Sequence, residues 1–453
     1  MAVRTLGSSL RATPVVALGG AAIAAYVALL VWSMGEGNYD LWIATLLVPI
    51  LMLVTMPALR RQSTREDDPT LFRLLTVALA VKLLSAFVRF FVAFGLYGGV
   101  ADAAVYHDWG VRIAENFRSL VFDTGLTNLG DTEFIRFLTG IVYTAIGPTE
   151  LGGFLVFSWF GFLGLFLLYR AFVIAVPAGR NRSYARLVFF VPSMLFWPSS
   201  IGKEAWMILA LGLAACGAAK LLSRGSLHGI APLLVGEWMM LIVRPHIAAM
   251  FGIGAVVAYV VKRSPAERSE FAPFVKGLAI GAMVLGAALL VQRTDAFLRH
   301  SGVGRDDVTN TLAETSFRTQ EGGSAFHASV LDSPQRAPLA VVTVLFRPVL
   351  PEARNLQAAL AALEGSVLLA WCVWRWRWIL AAIGSIRRQP YVALAATYIG
   401  LFVFGFSSIA NFGILARQRV QVLPFLFVLL AIPPREGGEE PERRPSAALE
   451  QVG

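Results

Sequence analysis

Apolar runs recur along the whole of this 453-residue chain, near 14–34, 41–59, 71–97, 151–176, 184–199, 204–222, 229–243, 247–261, 274–292, 355–374, 390–409 and 417–433. A helix needs about 20 such residues to cross the hydrocarbon of a bilayer. Inside hydrocarbon a segment must satisfy its own backbone amides, so runs of this kind fold as helices. With 57% hydrophobic and 15% charged residues, the chain carries more apolar surface than a soluble fold of this length can hide. The expected fold class is therefore all-α, a polytopic membrane helix bundle of about 12 transmembrane helices with interfacial and partial helices added.

Two further apolar stretches, 134–147 and 339–350, contain Gly147-Pro148 and Arg347-Pro348 and are expected to be partial helices. With both partial, one side of the bundle receives Arg60, Arg61 and Arg65; Arg180, Arg182 and Arg186; Lys220 and Arg224; Lys262, Arg263 and Arg268; and Arg375, Arg377, Arg387 and Arg388. The positive-inside rule makes that side cytoplasmic, with both chain termini on it, in an inner or plasma membrane. The expected organisation is a transmembrane hairpin at 1–70, a transmembrane core at 71–292 with an acidic outer loop at 98–150, and a long extracytoplasmic loop with a partial helix at 293–354. C-terminal transmembrane helices occupy 355–433, and the tail at 434–453, rich in Glu, Arg, Pro and Gly, has no apolar face to bury and is expected to be disordered. Arg4 and Arg11 ahead of the first run resemble a signal peptide, but its length fits an uncleaved first helix.

The net charge of +10 lies in short clusters between apolar runs, where it meets lipid headgroups rather than nucleic acid. Cys216 and Cys372 fall inside apolar runs, so no disulfide framework is implied. No repeat, P-loop or dinucleotide fingerprint is present, which removes a nucleotide-driven pump from consideration.

The unusual polar residues gather on the side opposite the basic clusters. Asp102, Tyr106, His107 and Asp108 precede an amphipathic stretch, 109–122, suited to lying in the interface. A base for a sugar hydroxyl must be a carboxylate or an imidazole, and three such groups stand within seven residues here. Helix capping accounts for the same aspartates equally well. Glu204 opens an apolar run after Pro198, where the helix dipole favours a carboxylate, and Lys203 stands beside it. Arg244, Arg347, Arg354, Arg417 and Arg419 occupy the side that basic residues normally avoid. Arginine binds phosphate with two parallel hydrogen bonds, although a single arginine there can simply snorkel to lipid phosphates. Lys82, Arg89, Glu237 and Glu364 lie within apolar runs, and a Lys82–Glu237 pair fixing helix packing is expected, with a proton or ion path as its rival. His246, His300 and His327 are too scattered for a metal spacing. No cofactor is indicated by motif; a divalent cation on Asp102 or Asp108 with Glu204 is an option that spacing does not decide.

In this order of features the chain resembles the GT-C superfamily of membrane glycosyltransferases, which take sugars from polyprenyl-phosphate carriers. An acidic first outer loop (Asp102, Tyr106, His107, Asp108) is followed by an interfacial helix, a partial helix, a helix ending in Pro192-Ser193, a polar turn with Glu204, and a long late outer loop. The resemblance spans Leu71 to Arg419 as a pattern, and it departs from the superfamily in placing the acidic loop after the third helix rather than the first. It implies Asp102, or else Asp108, as catalytic base of an inverting transfer, with Glu204 as the carboxylate of the second outer loop. Substrate would be held by Tyr106, His107, Lys203, Arg244, His246, Arg347, Arg417 and Arg419, with Lys203 stabilising the departing phosphate. The implied partners are a polyprenyl-phosphate-linked sugar, a glycan or lipid acceptor and the bilayer, in cell-envelope polysaccharide or glycoconjugate synthesis. Two other functions remain open: an O-antigen-type polymerase or ligase driven by the outer arginines, and a glycolipid transporter or flippase relying on Glu237 and Glu364.

Overall fold

The computed structural model describes residues 9–99, 101–177, 179–262, 277, 281, 326, 333–353 and 356–434. It is all-helical, with no β-strand among the described residues. The first five helices are α1 (Ser9–Gly35), α2 (Tyr39–Arg65), α3 (Pro69–Phe90, continuing as a π-helical turn Phe91–Leu96), α4 (Asp102–Arg118) and α5 (Asp131–Ile146). Then come α6 (Glu150–Ala175), α7 (Asn181–Phe190), α8 (Pro192–Phe196), α9 (Lys203–Arg224), α10 (Ile230–Val243) and α11 (Pro245–Val261). Further along the chain follow α12 (Ala337–Phe346), α13 (Leu356–Trp374), α14 (Trp376–Gly384), α15 (Pro390–Phe406), α16 (Phe412–Gln418) and α17 (Leu423–Leu430).

Among the described residues five helices are long and apolar enough to cross a membrane: α2, α3 with its π turn, α6, α9 and α13. A sixth span results if the segments Phe412–Gln421 and Leu423–Leu430, bent by 59°, count as one. Four further apolar helices, including α10, α11 and α15, are shorter. This is the architecture of a protein built for a lipid bilayer. Two runs read as single spans are in fact broken, and proline is the common cause because it removes a backbone donor and clashes with the preceding turn. The run at 184–199 divides at Pro192 into α7 and α8, and the run at 417–433 bends just before Pro424. The run at 274–292 (apart from 277 and 281), most of the 293–354 loop with Arg354, His300 and His327, and the tail from 435 lie outside the described residues.

The centre of the bundle is a close crossing of α6 and α9, made possible by glycine. A Cβ on Gly164 would meet the Ile208 carbonyl at 2.3 Å, and one on Gly212 would meet the Gly164 carbonyl at 2.4 Å. Gly153 near Ile201 and Gly164 near Ile208 show that the two helices run in the same direction. α10 returns along α9 by the same device: Gly236 lies on Ala210 and Ala214, and Trp206 Nε1 donates to the Met239 carbonyl at 3.0 Å.

Lys82 does not pair with Glu237 as the sequence led us to expect. Its ammonium donates to the carbonyls of Met194 and Leu195, both at 2.9 Å, so the broken α7–α8 segment supplies a partner through its exposed main-chain oxygens. Glu364 likewise serves this break, accepting the Ser193 N–H at 2.7 Å.

The polar contacts sort into two ends. At one, Glu66 at the close of α2 accepts from Tyr169 and Asn181, Arg182 pairs with Asp68, Lys262 donates to the Leu221 carbonyl, and Arg375 to that of Leu430. At the other end stand Asp102, Lys203, Glu204, Arg244 and Arg417. α4 and α5 pack against each other at this second end, with Gly110 on Thr139 and Gly140 on Ile113. Neither is among the helices long and apolar enough to cross.

Valine at Gly164 or Gly212 must force α6 and α9 apart, and overpacking of this kind costs about 1–3 kcal/mol. Thermal unfolding in detergent should show each change lowering stability, whereas Gly400→Ala, where nothing lies within 4 Å of the new methyl, should be neutral or mildly stabilising.

Candidate functional site

The start of α9 sets the site. Gly202 and Lys203 turn the chain into the helix, and Glu204 falls in its first turn, where the helix dipole favours a carboxylate. The side chain is buried, and Oε1 accepts from two guanidinium groups, Arg244 Nη2 and Arg417 Nε, each at 2.7 Å. Arg244 closes α10, and Arg417 sits in α16. Burying an ion pair is unfavourable unless its geometry and hydrogen bonding are good; two charge-assisted bonds on one oxygen meet that condition.

Arg417 then reaches outward. Its Nη1 donates to Asp102 Oδ2 at 2.6 Å, joining residues 315 positions apart. Accessibility rises along this chain of charges, from 3% for the Glu204 side chain to 59% for Asp102. Asp102 and Arg417 with Glu204 line a cavity of about 200 Å³ that also includes Arg89, Ala101, Ala103, Trp197, Ser200 and Ile201. Arg89 lies over the rings of Phe196 and Trp197, 4.7 and 5.3 Å from their centroids, and its buried Nε has no hydrogen-bond partner. The lining itself carries two guanidinium groups and two carboxylates, and Arg244 behind the wall takes up part of the Glu204 charge, which leaves Arg89 without a carboxylate partner among the described residues and suited to an anion. Tyr106, one turn after Asp102, is buried beneath it; burial, with Asp102 and Glu204 nearby, raises its phenol above the ordinary range.

Trp197 is shared with a second pocket of about 140 Å³. Its walls are apolar, formed by Pro192, Phe196, Leu360, Ala361 and Ala416, with Ser193, Gln357, Glu364 and Arg419 at the polar positions. The Ser193 hydroxyl and Arg419 Nε are both buried without a partner. A charged cavity thus adjoins an apolar one across a single indole ring.

The remaining expected residues lie around this centre. Lys203 is held by Asp131 at 2.6 Å, and its charge is committed to that pair. His246, in ring contact with Phe406, is within electrostatic range of Arg244, Asp131 and Lys203. Asp108 and His107 face away from Asp102, because positions five and six residues on lie on other faces of α4. The His107 ring hydrogen-bonds the Tyr143 hydroxyl at 2.8 Å, and burial lowers its imidazole below the ordinary range despite Asp108 and Asp40 nearby. Arg347 does not reach the charged cavity. It pairs with Glu352 and packs over Phe326 and Phe412, 4.7 and 5.2 Å from the ring centroids. Arg419 donates to the Arg347 carbonyl, and this fixes it beside the apolar pocket.

Two members of the site were not assigned to it from sequence. Arg89 is expected as an embedded charge on the same helix face as Lys82, and the structure places it over the α8 break and in the lining of the cavity. Asp131 begins α5 at φ +51°, a left-handed conformation that aspartate tolerates better than most residues. Among the described residues no group of three or more His, Cys, Asp and Glu side chains could hold a metal ion. Asp102 and Glu204 are bridged by Arg417.

Comparison with family models, curated proteins and solved structures gives no match to this chain.

Glu204→Gln leaves the buried Arg244 without its counter-charge and Arg417 with Asp102 alone, and should lower stability by about 3–5 kcal/mol in thermal unfolding. Asp102→Asn breaks only the exposed end of the chain of charges and should cost about 1 kcal/mol or less. Equal effects of the two changes would contradict the burial gradient.

Proposed function

We propose that this chain is a membrane glycosyltransferase, moving a sugar or glycan between a polyprenyl-phosphate carrier and an acceptor on the extracytoplasmic face. The observation that carries this reading is the pairing of a charged cavity, with Arg89 and Arg417 in its lining, with an apolar pocket across Trp197, at the end of the bundle away from the basic helix ends. An amphiphile with an anionic head fits that arrangement: head beside Arg89 and Arg417, chain along Pro192, Leu360 and Ala416. Assigning the basic end to the cytoplasm by the positive-inside rule puts both termini there and the cavity outside, in a GT-C-like bundle of about 12 crossings in the plasma membrane.

On this reading Asp102 is the base. Arg417 engages Oδ2, which leaves Oδ1 to accept the proton of an acceptor hydroxyl as that oxygen attacks the anomeric carbon from the face opposite the phosphate. The bond from sugar to phosphate breaks in the same step, and the negative charge that builds on the leaving phosphate is stabilised by Arg417 and Arg89. Glu204 is ill suited to be a second base, since both its guanidinium partners would have to be released first. Its role is to hold Arg417 in register, with Arg244 supporting from behind. Lys203 is assigned to positioning through Asp131 rather than to the leaving group, and Asp108 and His107 to the framework of α4.

The test is transfer of labelled sugar from a polyprenyl-phosphate donor by the reconstituted protein. Asp102→Asn should lower turnover by about two to four orders of magnitude with retention of donor binding. Arg89→Gln and Arg417→Gln should weaken donor binding as well. Full activity in Asp102→Asn together with loss in the arginine variants would favour an O-antigen-type polymerase or ligase. Donor movement across the bilayer without product would favour a flippase.

A further inference from the structure

α14 sits at the end of the bundle opposite the cavity, and its surroundings are unusual in charge. From Trp371 to Gln389 the sequence carries Arg375, Arg377, Arg387 and Arg388 and no acidic residue. The segment also supplies Trp371, Trp374, Trp376 and Trp378. α13 is of membrane-crossing length and ends at Trp374, so the chain reaches the bilayer boundary as the tryptophan–arginine alternation begins. α14 itself has nine residues, far too few to cross.

Its faces differ sharply. Ala382 is buried toward the bundle, whereas Trp376, Leu380 and Ile383, spaced i, i+4 and i+7 along one stripe, are all exposed. Arg377 is exposed beside that stripe, and Arg387 and Arg388 are exposed just beyond the helix. Deeper in, two guanidinium groups converge on one indole: Arg375 lies 4.1 Å and Arg180 4.7 Å from the Trp378 ring centroid. Arg375 is tied to the Leu430 carbonyl at 3.1 Å, and the Arg180 N–H donates to the Ala431 carbonyl at 2.9 Å. α7, α14 and α17 therefore meet at a patch where like charges are brought together and held by aromatic faces.

We propose that α14 is an in-plane helix that docks the chain onto anionic phospholipid, its Trp376, Leu380 and Ile383 stripe among the acyl chains and the arginines around it on headgroup phosphates. An apolar stripe with arginines alone beside it complements a leaflet with negative headgroups and offers nothing extra to a zwitterionic one. The cluster at Trp378 gives the surface a specific point, where Arg180 and Arg375 can share one phosphate instead of repelling each other across the ring. This inference is independent of the chemistry assigned to the cavity.

The full-length protein in detergent is titrated with phosphatidylglycerol and, separately, with phosphatidylcholine, and the thermal unfolding midpoint is followed. The wild type should be stabilised by phosphatidylglycerol far more than by phosphatidylcholine. The triple variant Arg377→Gln, Arg387→Gln, Arg388→Gln changes only exposed side chains. Each neutralisation should raise the phosphatidylglycerol concentration for half-maximal effect by about fivefold, and the three by about a hundredfold. As a control for net charge, Arg60→Gln, Arg61→Gln, Arg65→Gln at the end of α2 should shift it much less. Equal shifts in the two triple variants, or none in the first, would overturn the proposal. So would a dimer in wild-type protein that dissociates on Leu380→Ser and Ile383→Ser, because the stripe would then belong to a second copy of the chain.

Discussion

The Glu204 carboxylate is the contact on which the second end of the bundle depends. It draws Arg244 from the end of α10 and Arg417 from α16 onto one oxygen, and it does so where water cannot supply a substitute. Without it, α10 and α16 would carry like charges into the same small volume. Arg417 is also the link to Asp102, so the orientation of α4's first turn is set from a residue buried in α9.

Close packing makes that arrangement available. Glycines let α6, α9 and α10 approach to backbone distance, and this gives α9 a fixed axis from which Glu204 projects. α4 and α5 then cover the same end with their own glycine contacts, Gly110 against Thr139 and Gly140 against Ile113. Lys203, adjacent to Glu204, fastens this cap through Asp131. A deeply placed anion and a shallower cation, consecutive in sequence, thereby serve different layers.

Much of this is legible in the amino-acid sequence. The helical class follows from the length and spacing of the apolar runs; Asp102 stands out in an acidic loop beside a histidine, Glu204 at the opening of an apolar run, and Arg244 and Arg417 as basic residues on the side that normally lacks them. Their convergence is a tertiary fact that no local pattern contains. Arg347 shows the limit in the other direction: five residues on, Glu352 offers a nearer carboxylate, and local competition takes the arginine away from the cavity. Lys82 shows a second limit, since a search for acidic partners overlooks the bare carbonyls that a proline-broken helix exposes. The number of crossings was harder to read than their existence, because proline at 192 and 424 divides runs that hydropathy treats as continuous.

The grip of Lys82 on α8 has a mechanical side. Lys82 and Arg89 lie two turns apart on one face of α3, one bonded to the Met194 and Leu195 carbonyls and the other stacked on Phe196 and Trp197. The floor between the two pockets is thus riveted to α3 at both edges and cannot slide past it. Any widening that admits a bulky chain must come from the opposite wall, where Leu360, Ala361 and Ala416 face the pocket from α13 and α16. That wall would act as the door, with α3 as its frame.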